Sequence, residues 1–445
     1  MRHLLVFLAS LTVVACGGGD SSLSGGPETG TDACSDTGQK QFVYDAMRAW
    51  YLWNDLLPTN LDLSQYATAE ELVFAMRAFS PDLGNGPVDR FSGIRDAATE
   101  QAFFDEGQYE GYGFTHRFED PGFTDWRVRN VYVDSPAYRA GMRRGMQIIG
   151  LNGRTIAEIN AAEGLNAVLD TGTVEFTLSG LPGPVVITED IVTIDPVRNA
   201  RIIPGPGGQN IGYFELQTFI STADPQFNQV FNDFLNANVS DVIIDMRYNR
   251  GGLVTTAELL GDYLGGQVAD GLVFSNTEFN ADQAPRNDRT ELFENLANSL
   301  NLNQFVLIAT QEDTASASEL IANSLDPHVS VGIVGERTAG KPVGQVAIDF
   351  CDKVLRPVSF KITNSLGFGD YFDGLPEDCD APDDIDFPIG DDADPNVIAA
   401  LSWLENRSCP AAAAAPGGFQ KPVRRVVQPL EFYTGSPERE WAGAL

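Results

Sequence analysis

The chain has 445 residues, 43% of them hydrophobic and 20% charged, with a formal net charge of −33. That length can bury a large core and predicts two or three domains, and the composition excludes a fibrous or disordered chain. So strong a negative charge would repel phosphates, which excludes nucleic acid as a partner and otherwise says only that the exterior is well solvated.

Residues 1–16 read as a targeting segment. Arg2 and His3 supply a positive start, and residues 4–11 form an apolar stretch too short to span a membrane. Val13-Val14-Ala15-Cys16 resembles a bacterial lipobox. The resemblance implies cleavage before Cys16 and a lipid anchor on it. With Gly17 rather than aspartate next, it implies a place in the cell envelope, at the outer membrane facing the periplasm. An ordinary signal peptide is the alternative. Residues 17–37, rich in Gly and Ser, read as a flexible tether.

Residues 38–94 read as an N-terminal helical module. A helix over 38–58 would place Phe42, Ala46, Ala49, Trp50, Trp53 and Leu57 on one face and stop at Pro58. Thr68 and Glu71 form a capping box for a second helix with Leu72, Ala75, Met76 and Phe79 inward. This module reads as packing material.

Residues 95–185 change to short strands. Gly111-Tyr112-Gly113-Phe114 comes first, then Val131-Tyr132-Val133, then Asp134-Ser135-Pro136-Ala137, and finally Ile148-Ile149-Gly150-Leu151-Asn152-Gly153. The ordered series resembles a PDZ domain of the bacterial protease type. The resemblance implies a groove that takes a peptide as an added strand, its terminal carboxylate held by backbone N–H groups at Tyr112, Gly113 and Phe114.

From about residue 190 to 409, strands alternate with helices, predicting an α/β core around a mixed sheet. The expected elements are a strand at 211–216, a helix capped by Asp224 and begun by Pro225, and a strand at 242–246 with a helix through Leu264. A strand at 305–309, a helix from Ser316, a strand at 329–334, one strand at 355–362 and a helix at 398–404 follow. Residues 275–290 read as a polar insertion. The acidic run 377–394 lacks calcium-loop spacing and reads as a solvated charge run. Residues 410–445 read as a disordered tail. Its small, apolar end, Trp441 to Leu445, could occupy the chain's own peptide groove. Once Cys16 is lipidated, Cys34, Cys351, Cys379 and Cys409 remain. An even count outside the cytoplasm suggests two disulfides with three connectivities open; Cys351–Cys379 and Cys34–Cys409 are the expected pairs.

The chemistry centres on Ser316. Ser316-x-x-Glu319 is a capping box, and most such serines only satisfy helix N–H groups. This one lies at a strand-to-helix turn, where free N–H groups and the helix dipole steady an oxyanion. Arg247-x-Asn249-x-Gly251-Gly252 follows another buried strand, and its glycines allow close backbone approach. A histidine base is not at hand: His116 lies in the PDZ-like segment and His328 past the middle of the following helix. A serine esterase is disfavoured because no G-x-S-x-G elbow is present. Lysine can serve if desolvated, since only the neutral amine accepts a proton. Bringing an amine from about 10.4 to neutrality costs roughly 4–5 kcal/mol. The chain has five lysines against many arginines, so a glycine-flanked Lys341 stands out as a group that can deprotonate.

The segments VIIDMRYNRGG, TASASE and GERTAGKPVGQ, with 25 positions from Ser316 to Lys341, resemble the carboxyl-terminal (tail-specific) processing proteases, relatives of the tricorn protease core. The resemblance covers about residues 40–409. It implies a multi-domain α/β protein with Ser316 as nucleophile, Lys341 as general base and Gln345 orienting the lysine. Ala317 and Gly252 would be the oxyanion donors, and no metal or cofactor would be needed. Ser318 matches a family serine without an assigned role, and Pro342 stands where many members have glycine. The implied partners are unfolded or C-terminally exposed proteins, cleaved through an acyl-enzyme. An inert peptide-binding lipoprotein using the same groove is the rival reading.

Overall fold

The apolar runs lie side by side in one sheet. The computed structural model describes residues 33–84, 86–205 and 207–410. The targeting segment with Cys16, most of the tether and the tail after residue 410 lie outside these. Six strands run in the spatial order Val197–Pro204, Asn210–Leu216, Asp241–Asp245, Gln304–Ala309, Ser330–Gly335 and Cys379–Asp380. The first two are antiparallel and the rest pair in parallel, so the sheet is mixed. Successive side chains point to opposite faces. Val242, Ile244, Phe305 and Leu307 therefore meet helices Asp224–Asn236, Val254–Ala269 and Ala317–Leu325 on one side. Ile243, Val306 and Ile308 meet helix Pro395–Asn406 on the other. Each large side chain buried there, Phe227 or Phe231 for example, contributes about 1.5–3 kcal/mol. Because three neighbouring strands are parallel, the loops that leave Asp245, Ala309 and Gly335 open at one edge of the sheet, where α/β proteins build their sites.

Two small antiparallel sheets flank this core: Arg289–Leu292 with Val273–Phe279, Val358–Thr363 and Val343–Gln345, and Gly93–Asp96 with Lys353–Arg356 and Ile348–Phe350. The N-terminal helices Asp36–Trp50 and Ala69–Arg77 pack Met47, Leu72 and Met76 with Val343, Leu355 and Val358. A β-rich unit is closed by the pairing of Gln108–Gly111 with Asp190–Thr193 and has its own core around Trp126, Phe176 and Leu151. It is fastened to the sheet by buried charge: Arg144 donates to Tyr248 and Asp383, each at 2.6 Å, and Arg129 to Asp313.

Several expectations are corrected. The first helix ends at Trp50 rather than 58: Tyr51 N–H makes the last bond back to Met47 O, and Leu52 N–H turns out to the carbonyl of Val358, while the Tyr51 hydroxyl donates to Asp89. Phe79 lies beyond the second helix and is exposed. Asp224 is the first residue of its helix and not its cap. Residues 275–290 contribute strands, with Ser275 and Thr277 buried; their polar side chains hid a ladder that is only half covered. The segment 355–362 is two strands in two sheets, broken at Pro357, which has no N–H to give. In the acidic run, Asp383 and Asp394 are fully buried against Arg247. The disulfides are Cys34–Cys351 and Cys379–Cys409, not the expected pairs. Phe42 stacks on Phe350 and so brings the start of the first helix to the 351–352 turn, while the last helix returns Cys409 to the edge strand that carries Cys379.

Candidate active site

The loop after Asp245 is shaped by Asn249. Its amide donates to Leu216 O at 2.9 Å and accepts from Gly251 N–H at 2.9 Å. A Cβ on Gly251 would lie 2.8 Å from Ser316 Cβ and 3.0 Å from Ala317 N; one on Gly252 would strike Phe219 O at 2.0 Å. Two glycines are what allow this loop to lie against the serine turn. Phe219 bonds the flanking Gly251 carbonyl and Leu253 N–H, which leaves the Gly252 N–H facing away from it.

Ser316 precedes helix Ala317–Leu325 with φ 56° and ψ −114°, a strained backbone for any residue with a side chain. The sequence lacks the usual elbow motif, yet the turn has an elbow's sharpness. It leaves Ser316 8% exposed and makes Ala317 the first helical N–H, which has no acceptor within its own helix. Ser318 Oγ donates to Asn249 O at 3.2 Å and ties the serine helix to the glycine loop.

Glu319 joins this turn to the third loop. It reaches back to Ser316 N–H at 2.9 Å through Oε2, and the same oxygen accepts from Lys341 N–H at 2.8 Å. Its other oxygen accepts from Gly340 N–H at 2.7 Å and from Thr338. Serine and lysine, 25 positions apart, therefore meet on one carboxylate. Burial pushes the Glu319 carboxyl up, against the pull of these four donors.

Lys341 is 1% exposed, and its Nζ donates to Gln345 Oε1 at 2.9 Å. The Gln345 amide nitrogen donates to Phe91 O at 3.0 Å and Arg356 O at 2.8 Å, which turns the amide oxygen to the lysine. Burial, then the Arg95 and Arg356 cations, hold Lys341 well below its ordinary value; Asp89 and Glu319 oppose this without reversing it. A neutral amine here can accept a proton. The two histidines among the described residues are committed elsewhere. His328 bonds Val273 O at 3.0 Å, and His116 accepts from Trp126 Nε1 at 2.8 Å.

A cleft opens beside Gly251 and Gly252 and runs to Thr115 and Tyr132 of the β-rich unit, with Phe103 and Phe104 on its wall. Next to Thr115 lie the expected carboxylate-loop residues. Gly113 has φ 82°, and a Cβ there would be 2.1 Å from Ser135 Cβ. Tyr112 and Phe114 are buried in the unit's core, and the strand Phe114–Phe118 has Trp126–Val131 as its partner in a two-stranded sheet.

Residues 210–365 match the sequence model of peptidase family S41, and residues 38–93 that of the peptidase S41 N-terminal domain. Over these two segments the chain is of the peptidase S41 type. The C-terminal processing peptidase of Tetradesmus obliquus chloroplasts is 26% identical over 55% of this chain and 54% of its own length. Carboxy-terminal processing protease CtpA of Bacillus subtilis is 23% identical over 49% of this chain and 45% of its own. The chain thus spans about half the length of the curated relatives it matches. The crystal structure of an S41 protease from Bacteroides fragilis, 22% identical, has the same fold, with a TM-score of 0.61 over 82% of this chain and 97% of that one.

The structure brings Ser316, Ala317, Gly252, Lys341 and Gln345 together through the glycine loop and Glu319. It adds three residues the sequence reading passed over. In sequence Glu319 has the look of a helix cap and Arg247 of part of a glycine turn, and nothing points to Arg356. A serine followed three residues later by glutamate was the signal for the first. For Arg356, which supplies a carbonyl and a nearby cation, there was none.

Proposed function

We propose that the chain is a serine endopeptidase of the C-terminal processing type working through a Ser316–Lys341 dyad. The observation that carries the reading is the buried amine of Lys341, bonded to Gln345, its ammonium form disfavoured by burial and nearby cations, on a residue tied through Glu319 to the serine turn. Lys341 takes the Ser316 proton as the hydroxyl oxygen attacks the scissile carbonyl. The N–H groups of Ala317 and Gly252 receive the oxyanion; removing one such donor typically costs about 10²–10³ in rate. The protonated lysine then gives its proton to the leaving amine, and water, activated by the same base, releases the acyl group.

The β-rich unit would act as a PDZ-like module that holds a substrate's terminal carboxylate at Tyr112, Gly113 and Phe114, with the chain added beside the strand Phe114–Phe118. The cleft from Thr115 to Gly252 is then the path to the serine. The substrates are unfolded or C-terminally exposed proteins, and the enzyme is lipid-anchored through Cys16 at the periplasmic face of the envelope. Incubating an unstructured protein bearing a free, apolar C-terminus with the chain tests this. Cleavage that disappears in Ser316→Ala, and that weakens when the C-terminus is amidated, is the expected result. Equal binding with no Ser316-dependent cleavage would instead make the chain an inert peptide binder.

A further inference from the structure

The turn Asp89-Arg90-Phe91-Ser92 lies at the end of the N-terminal helical module, outside the peptidase core, yet it reaches the base. Phe91 O accepts from Gln345 Nε2 at 3.0 Å, and Lys341 Nζ lies over the Phe91 ring, 5.0 Å from its centre. We propose that Phe91 is a positioning residue for the general base: its carbonyl aims the Gln345 amide, and its ring covers the amine against water. The proposal rests on the Ser316–Lys341 reading and extends it to a segment that the sequence suggested was only packing.

The turn is built to hold that residue still. Asp89 Oδ1 accepts from Phe91 N–H and Ser92 N–H, each at 2.9 Å, while Oδ2 accepts from Ser92 Oγ at 2.6 Å and Tyr51 Oη at 2.9 Å. Ser92 Oγ in turn accepts from Val358 N–H at 2.9 Å, and Arg77 Nε donates to Asp89 O at 3.2 Å. The residue that closes the first helix, the second helix and a strand of a flanking sheet thus converge on four residues. A buried aspartate with this many donors is more than an isolated turn requires, and what it fixes is the position of Phe91.

The two contacts act on the same atom. An amide has two N–H donors on nitrogen, and those of Gln345 go to Phe91 O and Arg356 O. Its oxygen therefore takes one N–H of Lys341, and the amine's lone pair is left to point elsewhere. The half-buried ring offers no competing hydrogen-bond acceptor and keeps water from the amine, whereas water would stabilise the ammonium. The attraction of a ring face for an ammonium works the other way but is smaller than the hydration it displaces. The charged groups around Lys341 are Arg95 and Arg356 on strands Gly93–Asp96 and Lys353–Arg356, Asp89 in the turn itself and Glu319 on the serine helix. Phe91 and Gln345 are uncharged members of this shell, and of the two Phe91 is the apolar one.

The test is the pH profile of kcat/KM for the full chain cleaving an unstructured protein, with Phe91 replaced by Leu, Val and Ala in turn. The neutral amine is the competent form, so the rate falls on the acid side as Lys341 takes up a proton. Water admitted beside it moves that fall to higher pH. Phe91→Leu should stay near the parent. Phe91→Ala should lose about tenfold at pH 7, mostly in kcat, and recover by pH 9–10. If Phe91→Ala does not fold, the Leu-to-Val step decides by the same displacement. An acid limb that stays at the parent's position in every folded variant, or a change confined to KM, overturns the proposal and leaves the dyad standing. A parent chain with no Ser316-dependent cleavage overturns both.

Discussion

Among the buried basic side chains of the described residues, Arg247 and Lys341 have opposite surroundings. Arg247 is wholly buried at the end of strand Asp241–Asp245, where it meets Asp245, Asp383 and Asp394 and the amide of Asn396. Lys341 is buried one loop away, where its amine meets the amide oxygen of Gln345 and has Arg95 and Arg356 for near neighbours. Carboxylates outweigh desolvation around Arg247 and hold its guanidinium charged far above the ordinary range. Around Lys341 burial and like charge act together, and the amine sits well below its ordinary value. Burial does not decide the role of a cation; what is buried with it does. The arginine is a fixed ion that holds the glycine loop to the acidic segment 383–394, and the lysine has the surroundings that the proposed base requires.

Neutral isosteres at the two positions sharpen this contrast. Lys341→Met keeps the length and apolar fit but removes the lone pair. In steady-state assays kcat/KM should fall by about 10²–10⁴. In urea titration stability should stay within about 1–2 kcal/mol of the parent, because the main loss is the one donor to Gln345 Oε1. A variant that cleaves within tenfold of the parent would end the assignment of Lys341 as base. Arg247→Met makes the opposite demand. It strands buried carboxylates that were compensated, and breaking a buried pair by removing one partner costs about 3–5 kcal/mol. Should the two methionine variants prove equally stable, the distinction between fixed ion and base would lose its energetic footing.

The same contrast explains what the sequence could and could not tell. The central strands were legible because both faces are covered, so Val242 to Ile244 and Phe305 to Ala309 are apolar throughout. Ser316 was legible as a residue at a strand-to-helix turn, and Lys341 as a rare lysine between glycine and proline. What escaped were pairings across long separations. Nothing in a Ser-x-x-Glu pattern says that Glu319 also holds Gly340 and Lys341. Asp383 and Asp394 look like the solvated acids around them until Arg247 is placed beside them. The cysteines failed for the same reason: their count constrains parity, while the partner of Cys351 depends on where the first helix lands.

The smallest effect concerns Ser318, whose hydroxyl joins the serine helix to the glycine loop through Asn249 O. That carbonyl also accepts from Ala315 N–H at 3.3 Å, so Ser318→Ala leaves it with a partner. The loss should be about 1 kcal/mol of stability. Because Gly252 N–H reaches the oxyanion only if the loop stays against the serine turn, kcat should fall severalfold while KM holds. Gly252 belongs to the loop that also carries Arg247, so this variant separates anchoring by a hydroxyl from anchoring by an ion. A double variant of Ser318→Ala with Arg247→Met would lose more stability than the two single changes together if both hold the same loop. Strict additivity would mean that the ion anchors the acidic segment alone and leaves the glycines to the serine helix.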